Sequence, residues 1–170
     1  EDNIIATFCK YAEKTIQQTQ GWVEIPLAST TQTKPIQWVV IGKYDGITTE
    51  NELVEAKMRQ KGLFKRMRDY ENIQVQLYLH ALGYQQGYLI EGFKTVDKIA
   101  SKIASKTKNK SEKQDNTGKS ILQTYLHEIR YDDLLIMDIL EKLEKFTDFM
   151  NKFWNIIKNN LTTVKHISAI

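Results

Sequence analysis

Two carboxylates and a lysine in the first half of the chain have the types and spacing of a metal-assisted site. Asp45 follows an apolar, β-branched stretch, and Glu55 and Lys57 lie two residues apart on a second short apolar stretch. Because side chains alternate between the two faces of a strand, Glu55 and Lys57 point to the same side. Hard divalent cations such as Mg²⁺ take carboxylate oxygens as ligands, and a neighbouring lysine can orient or deprotonate water. The pattern therefore predicts a metal site suited to phosphate chemistry.

Two neighbouring strands would hold these residues. Residues 38–41 are rich in β-branched and aromatic types and are predicted to run into a turn at 44–46, while residues 53–57 form the second strand. The nine residues between Asp45 and Glu55 are enough for a hairpin. Such a hairpin brings Glu55 beside the end of the first strand, where the two carboxylates and the lysine converge.

A helix predicted over residues 70–86 carries the next two polar candidates. Gln74 and Tyr78 are four residues apart and so share one face, beside an apolar face formed by Val75, Leu79 and Leu82. Facing a metal, they would hydrogen-bond a phosphate or a terminal nucleotide, and the ring would stack on a base. The alternative is a half-buried tyrosine beside a surface glutamine.

The combined pattern resembles the PD-(D/E)XK nuclease superfamily. Asp45 and the run Glu55, Ala56 and Lys57 match its namesake motif, and Gln74-x-x-x-Tyr78 resembles the extra motif of its RecB-like and lambda-exonuclease-like branch. One departure is Tyr44, which stands where the family has its namesake proline. The resemblance covers about residues 1–93 and, more loosely, the strand and helix after residue 120.

This resemblance implies an α/β fold with a restriction-endonuclease-like core, in which helices flank a mixed central β-sheet. It implies a Mg²⁺- or Mn²⁺-dependent deoxyribonuclease in DNA replication, recombination or repair, and it favours an exonuclease. Asp45 and Glu55 would bind one or two ions together with the carbonyl of Ala56. Lys57 would position or activate the attacking water, and linear DNA or single-stranded ends would be the partner.

Relatives in this branch often carry an acidic residue in the first helix that assists the metal. Asp2 or Asn3 would cap such a helix here, and its apolar spacing predicts that it runs to about residue 19 and ends at Gly21. Glu13 lies on that helix and is the candidate, with a solvated surface glutamate as the alternative. Glu24, on a strand predicted over residues 22–28, competes for the same role.

A basic stretch follows the motif. Residues 57–68 hold six cations in twelve residues, with no acid before Asp69. Beyond Lys57, its cationic residues are Arg59, Lys61, Lys65, Arg66 and Arg68. They are predicted to line the approach to the metal and to neutralise substrate phosphates, and the alternative is a solvated loop.

The rest of the chain predicts a hairpin turn at residues 29–34, strands at 36–43, 88–92 and 121–130, and a helix over 132–159. Residues 94–119 carry eight basic and three acidic side chains, and 105–119 are predicted to be a mobile basic loop or a clamp on nucleic acid. The long helix is predicted to pack on the sheet rather than form a coiled coil. Its apolar stripe comprises Ile136, Ile139, Leu143, Phe146, Met150, Phe153 and Ile157.

Length and composition set the frame. At 170 residues the chain is expected to be one domain, 1–170. No apolar run approaches a membrane span, and the single Cys9 excludes an internal disulfide, which favours an intracellular site such as cytoplasm, nucleoid or a viral replication site. Three alternatives stay open: an endonuclease, an inactive nucleic-acid-binding or interaction domain, and an assembly role of the last helix in a homo-oligomer or with a fusion or partner domain.

Overall fold

A computed structural model describes residues 2–27, 37–96 and 120–167 of the protein. The predicted turn at 29–34 and the predicted basic loop at 105–119 therefore lie outside the described residues. The described elements, in chain order, are α1 (Asp2–Ala12), β1 (Ile16–Leu27), β2 (Trp38–Thr48), β3 (Leu53–Arg59), α2 (Asp69–Leu82), β4 (Gln86–Val96), β5 (Ser120–Arg130) and α3 (Asp133–Ile167).

The five strands form one mixed sheet in the order β1-β2-β3-β4-β5. Neighbouring strands are antiparallel except β3 and β4, which are parallel and are joined by the crossover through α2. A parallel pair needs such a crossover, because a short turn can only reverse the direction of the chain. The fold is thus α/β with a mixed central sheet flanked by helices, as the sequence predicted.

Helices α1 and α2 cover opposite faces of the sheet. Adjacent residues of β3 accordingly pack into different core clusters. Leu53 lies in a cluster with Val75 and Leu79 of α2, whereas Val54 lies in a cluster with residues of α1. The buried members of the α1 cluster are Ile4, Phe8, Val54, Ala56, Tyr88 and Ile90. The alternation predicted for residues 53–57 is confirmed.

The β2–β3 hairpin is confirmed, but its turn lies further along the chain than predicted. Strand β2 continues through Asp45 to Thr48, and the chain reverses at residues 49–51, where Asn51 has a φ of 60°. Thr48 N–H donates to the carbonyl of Glu52 (2.9 Å) to close the turn. Asp45 therefore lies within a strand, between the ladder-paired residues Tyr44 and Gly46, rather than in a turn.

The first helix is shorter than predicted. Helix α1 ends at Ala12, and residues 16–27 form a strand that pairs with β2 along almost its whole length. Gly21 lies within that strand, opposite Tyr44, and a Cβ added there would lie 2.0 Å from the Tyr44 hydroxyl oxygen. The glycine makes room for the tyrosine ring instead of ending a helix, a long-range role that local periodicity does not reveal.

Helix α2 also ends earlier than predicted. Gly83 follows it with a φ of 68°, a left-handed conformation that favours glycine and caps the helix. Its N–H donates to the carbonyl of His80 (3.2 Å). Residues beyond Gly83 are thereby released from the helix, and β4 begins at Gln86.

Helix α3 packs against α2 and β1, but its predicted apolar stripe is buried only in the first turns and is partly or fully exposed beyond them. Ile136 and Ile139 are buried, whereas Phe146 and Phe153 are 54% and 49% exposed. Thr147 and Asn151 are buried in their place. Asn151 Oδ1 accepts a hydrogen bond from the Trp38 indole (2.9 Å), so this part of the helix packs through a polar contact with β2. None of the described helices combines the length and apolar character that a membrane crossing requires.

Candidate functional site

Asp45 and Glu55 come together across the β2–β3 hairpin. Counted from the turn, Gly46 and Val54 form the last ladder pair between these strands. The next residue beyond that pair is Asp45 on β2 and Glu55 on β3. Beyond that pair, the backbone N–H of Ala56 donates to Asp45 Oδ2 (2.8 Å) instead of to a β2 carbonyl. A side chain thus replaces a ladder bond, and the Asp45 carboxylate lies directly beside the Glu55–Lys57 segment.

Glu55 is buried at the centre of this site, with its side chain 4% exposed. Its Oε1 accepts hydrogen bonds from Lys57 Nζ (2.6 Å) and from Gln74 Nε2 (3.0 Å). Its Oε2 is also buried and has no hydrogen-bond partner among the described residues. Burial, with a smaller contribution from the nearby Asp45 charge, raises the pKa of Glu55 to about 6 against the opposing effects of Lys57 and Gln74.

Gln74 links the strand to helix α2. Its Oε1 accepts from Lys57 Nζ (3.1 Å), and its Nε2 donates both to Glu55 and to the Tyr78 hydroxyl oxygen (2.9 Å). The predicted shared face of Gln74 and Tyr78 is therefore confirmed, and Gln74 directs that face at Glu55. Gln74 holds the ammonium and the carboxylate in a fixed mutual orientation.

The stacking role expected for Tyr78 is wrong. Tyr78 is only 8% exposed and belongs to the core cluster on the α2 face of the sheet. Its ring lies against the backbone of Gly42, where an added Cβ would be 2.2 Å from the ring. A base therefore has no free ring face to stack on, and the contribution of Tyr78 to the site is its hydroxyl oxygen, which orients Gln74.

Arg59 also differs from its expected role as a phosphate contact. Its side chain is 8% exposed, and its two terminal nitrogens pair with both carboxylate oxygens of Glu71 at 2.6 and 3.1 Å. The same guanidinium donates to Glu91 Oε1 at 3.2 Å. Its charge is thus neutralised by two buried carboxylates and not presented to solvent.

Glu91, which is not among the residues predicted from the sequence, holds the segment after β3 in place. Its fully buried carboxylate accepts hydrogen bonds from the backbone N–H groups of Phe64 (2.6 Å) and Lys65 (3.3 Å) and contacts His127 Nε2 (3.1 Å). Burial would raise the pKa of Glu91, but the His127, Phe64 and Arg59 contacts hold it below its ordinary value. A glutamate inside the apolar run 88–92 was the signal in the sequence.

The other predicted phosphate contacts remain on the surface. Lys61, Lys65, Arg66 and Arg68 are all exposed. The Arg68 guanidinium lies 4.0 Å from the centre of the Phe64 ring, and Arg59 lies 4.4 Å from it. Glu91 accepts hydrogen bonds from the backbone at Phe64 and Lys65 and so anchors this segment. The exposed cations therefore project from a backbone that is held in place.

Glu13 does not lie on the first helix, whereas Glu24 lies on a strand, as predicted. Glu13 is exposed in the turn after α1, with a φ of 55°, and Glu24 is exposed on β1. Asp2, at the opposite end of α1, lines a cavity of about 120 Å³ together with Asp45. The eleven-residue helix places Ala12, the neighbour of Glu13, about 15 Å from Asp2 along the axis. The acidic residue of α1 nearest the site is therefore Asp2, and its signal was an acid in the first turn.

The carboxylate and carbonyl oxygens of the site are suitable ligands for a hard divalent cation. In the three described stretches of chain, no group of three or more His, Cys, Asp or Glu side chains is arranged to hold a metal ion. Two carboxylates with a main-chain oxygen and water are nevertheless a usual set for Mg²⁺. The buried Glu55 Oε2, which lacks a partner in the described part of the chain, and the adjacent Asp45 fit an ion that would satisfy both.

No family model matches the chain, and no curated protein matches it. Among solved structures, the chain is similar to one described as the crystal structure of SSO0001, with 13% sequence identity and a TM-score of 0.48. The match covers 85% of this chain and 55% of that chain, so this chain spans about half the length of that structure. A likeness of this extent assigns neither a family nor an activity.

Proposed function

We propose that the protein is a metal-dependent nuclease of the PD-(D/E)XK type, with a restriction-endonuclease-like core, that hydrolyses phosphodiester bonds in DNA. One observation carries the proposal. The buried Glu55 carboxylate is bound on one oxygen by Lys57 and Gln74, and its other oxygen has no hydrogen-bond partner among the described residues. Asp45 lies beside it on the neighbouring strand.

Asp45, Glu55 and the carbonyl of Ala56 would hold Mg²⁺ or Mn²⁺. When bound, such an ion stabilises charge on the phosphate and lowers the pKa of a bound water. The unsatisfied oxygen of Glu55 supports this assignment, because a buried carboxylate oxygen without a donor is costly unless a cation or a proton compensates it. Two carboxylates near each other also repel, and a divalent ion removes that repulsion.

Lys57 is the group that acts on water. Its ammonium is held between Glu55 Oε1 and Gln74 Oε1, so it is fixed in position while remaining 27% exposed. From there it can donate to an attacking water or to a phosphate oxygen and orient either for reaction. Gln74 and the Tyr78 hydroxyl act as positioning groups behind it.

DNA would approach over the exposed cations of the anchored segment, Lys61, Lys65, Arg66 and Arg68. An end-directed enzyme is the form we favour, and the support for it is the resemblance of Gln74 and Tyr78 to a branch rich in end-processing enzymes. An endonuclease with the same chemistry is the alternative. The contacts among Asp45, Glu55, Lys57 and Gln74 argue against an inactive binding domain, because a decayed site would have no need to keep them.

The test is digestion of labelled linear and covalently closed circular DNA with Mg²⁺, with Mn²⁺ or with EDTA. We expect metal-dependent shortening of linear DNA, loss of cleavage in Asp45→Asn, and full cleavage in the control Asp138→Asn on the exposed face of α3. Cleavage that persists in EDTA, or a fully active Asp45→Asn variant, would overturn the proposal. Equal rates on the closed circle would replace the exonuclease by an endonuclease.

A further inference from the structure

A groove of about 740 Å³ lies between α1 and the strands β4 and β5, on the face of the sheet opposite α2. The α1 residues that line it are Asn3, Ala6, Thr7, Lys10 and Tyr11, and the strand residues are Lys94, Leu122 and Thr124. The helix residues recur at steps of three and four, so the groove follows one side of α1 along most of its length. Its wall therefore combines two lysines with hydroxyl and amide groups and one aromatic ring.

A smaller cavity of about 120 Å³ adjoins the groove and shares Thr7, Tyr11 and Thr124 with it. The smaller cavity is more apolar, since Phe8, Ala12, Ile90 and Leu126 complete much of its wall. A cationic compartment thus lies next to an apolar one. This is the combination that a nucleotide unit needs, with its phosphate in the first and its base in the second.

Tyr11 stands at the boundary between the two cavities. It is 78% exposed, and Lys10 Nζ lies 5.9 Å from the centre of its ring. Lys94, on β4, is also exposed and faces the groove from the other wall. An exposed ring beside two cations offers a stacking surface and two phosphate contacts, which together bind single strands with little dependence on sequence.

The first turn of α1 lies between the groove and a cavity that contains Asp45. Asn3 lines the groove, and the preceding residue, Asp2, lines the cavity that contains Asp45. A strand lying along the groove would therefore pass near Asp45, whereas Glu55 and Lys57 face α2 on the other side of the sheet.

We propose that this groove binds one strand of DNA on the α1 face of the sheet, with phosphates at Lys10 and Lys94 and a base against Tyr11. The inference rests on the proposed nuclease function for its choice of ligand. It adds a second nucleic-acid surface, separate from the basic segment after β3.

The test measures binding of a labelled single-stranded oligonucleotide in EDTA by fluorescence anisotropy, over a range of salt concentrations. Lys10→Ala/Lys94→Ala is expected to weaken binding about tenfold and to lower the salt slope by about 1.4, the loss of two single-strand phosphate contacts. The matched control Lys142→Ala/Lys145→Ala removes the same charge from exposed positions on α3 and is expected to change affinity less than about twofold. Equal weakening by the two double variants would overturn the groove.

The aromatic contact has its own pair of variants. Tyr11→Ala is expected to weaken binding about fivefold, Tyr11→Phe much less, and the control Trp22→Ala, which removes a ring 68% exposed on β1, not at all. Photo-crosslinking of an iodouracil oligonucleotide to the wild type, mapped by mass spectrometry, covers the case in which a variant fails to fold. Crosslinks confined to residues 57–78 would overturn the assignment, and crosslinks at Tyr11 support it.

Further outcomes separate this inference from the nuclease proposal. If no metal supports cleavage but the groove variants still bind the oligonucleotide more weakly than their controls, the nuclease proposal is wrong and the groove proposal is supported. If the wild type cleaves DNA and the groove variants bind like their controls, the groove fails alone. A duplex that binds equally well through Lys10 and Lys94, or a deoxynucleoside monophosphate that competes as well as the oligonucleotide, would overturn the single-strand assignment.

Discussion

Lys57 Nζ and Glu55 Oε1 lie 2.6 Å apart on one face of β3, and Gln74 hydrogen-bonds both of them. The ammonium neutralises one oxygen of the carboxylate, while the other oxygen, Oε2, stays buried with no hydrogen-bond partner in the described residues. The negative charge of Glu55 is therefore only partly compensated, because Lys57 and Gln74 contact just one of its two oxygens.

Glu55→Gln should remove cleavage, by more than about a hundredfold, because an amide is a poor ligand for Mg²⁺ and no longer balances its charge. Rates in single turnover on linear DNA measure the loss. Asp138→Asn serves again as the control. A Glu55→Gln variant within about twofold of wild type would show that this carboxylate has no part in the reaction.

Metal binding should weaken as the pH falls through about 6, because burial raises the pKa of Glu55 to about 6 and a proton then competes with the cation. Calorimetric titration with Mn²⁺ on either side of that pH gives the affinities and the protons released. A metal affinity unchanged between about pH 5 and pH 7.5 would separate Glu55 from the metal.

The same shift predicts a stability change in the metal-free protein. A carboxyl whose folded pKa is raised from 4.5 to about 6 stabilises the fold below pH 4.5, and that contribution is lost as the pH rises through 6. It amounts to about 2 kcal/mol of unfolding free energy. Glu55→Gln should therefore be more stable than wild type in EDTA at neutral pH and similar near pH 4.5, as measured by denaturant unfolding. Equal stability at neutral pH would contradict it.

Tyr78→Phe should lower the cleavage rate roughly tenfold with little loss of stability. The ring keeps its contact with Gly42, but Gln74 loses the oxygen that accepts its Nε2 hydrogen bond. Thermal unfolding and single-turnover rates check the two parts. If instead Tyr78→Phe is fully active and only loss of the ring reduces cleavage, the hydroxyl contributes nothing to positioning Gln74.

Arg59→Met should destabilise the fold by about 3–5 kcal/mol, because it leaves the Glu71 and Glu91 carboxylates buried without their shared cation. DNA affinity in EDTA should stay unchanged at temperatures where the variant is folded. Lys65→Ala/Arg66→Ala, by contrast, should lower the salt slope of binding without destabilising the fold. A lower salt slope in Arg59→Met would return this residue to the phosphate-binding surface.

Acid should weaken the same buried network. Burial would raise the pKa values of Glu71 and Glu91, but hydrogen bonds, including those from Arg59, hold both below the ordinary value of 4.5. Their contribution to stability is therefore present above pH 4.5 and lost as the pH falls through the lowered values. Unfolding of wild type and Arg59→Met should converge on acidification, and a constant difference would contradict the assignment.

The sequence by itself determined the parts of the site that depend on local periodicity. Alternation along residues 53–57 placed Glu55 and Lys57 on one face, and the helical repeat placed Gln74 and Tyr78 on another, because both patterns follow from backbone geometry alone. The same reasoning predicted the β2–β3 hairpin, because strands leave a pattern within a short window of sequence. The mixed central sheet was an expectation from the family resemblance, and the structure has it.

Only the tertiary structure decided which side chains are committed to partners far along the chain. Arg59 meets Glu91, 32 residues away, and so is buried while its neighbours Lys61 and Lys65 stay exposed. Gly21 admits the Tyr44 ring, and Asp2 rather than Glu13 lies beside Asp45. In each case the residue type is compatible with either placement, and the free energy of a long-range contact selects one of them. A local window of sequence does not contain that contact.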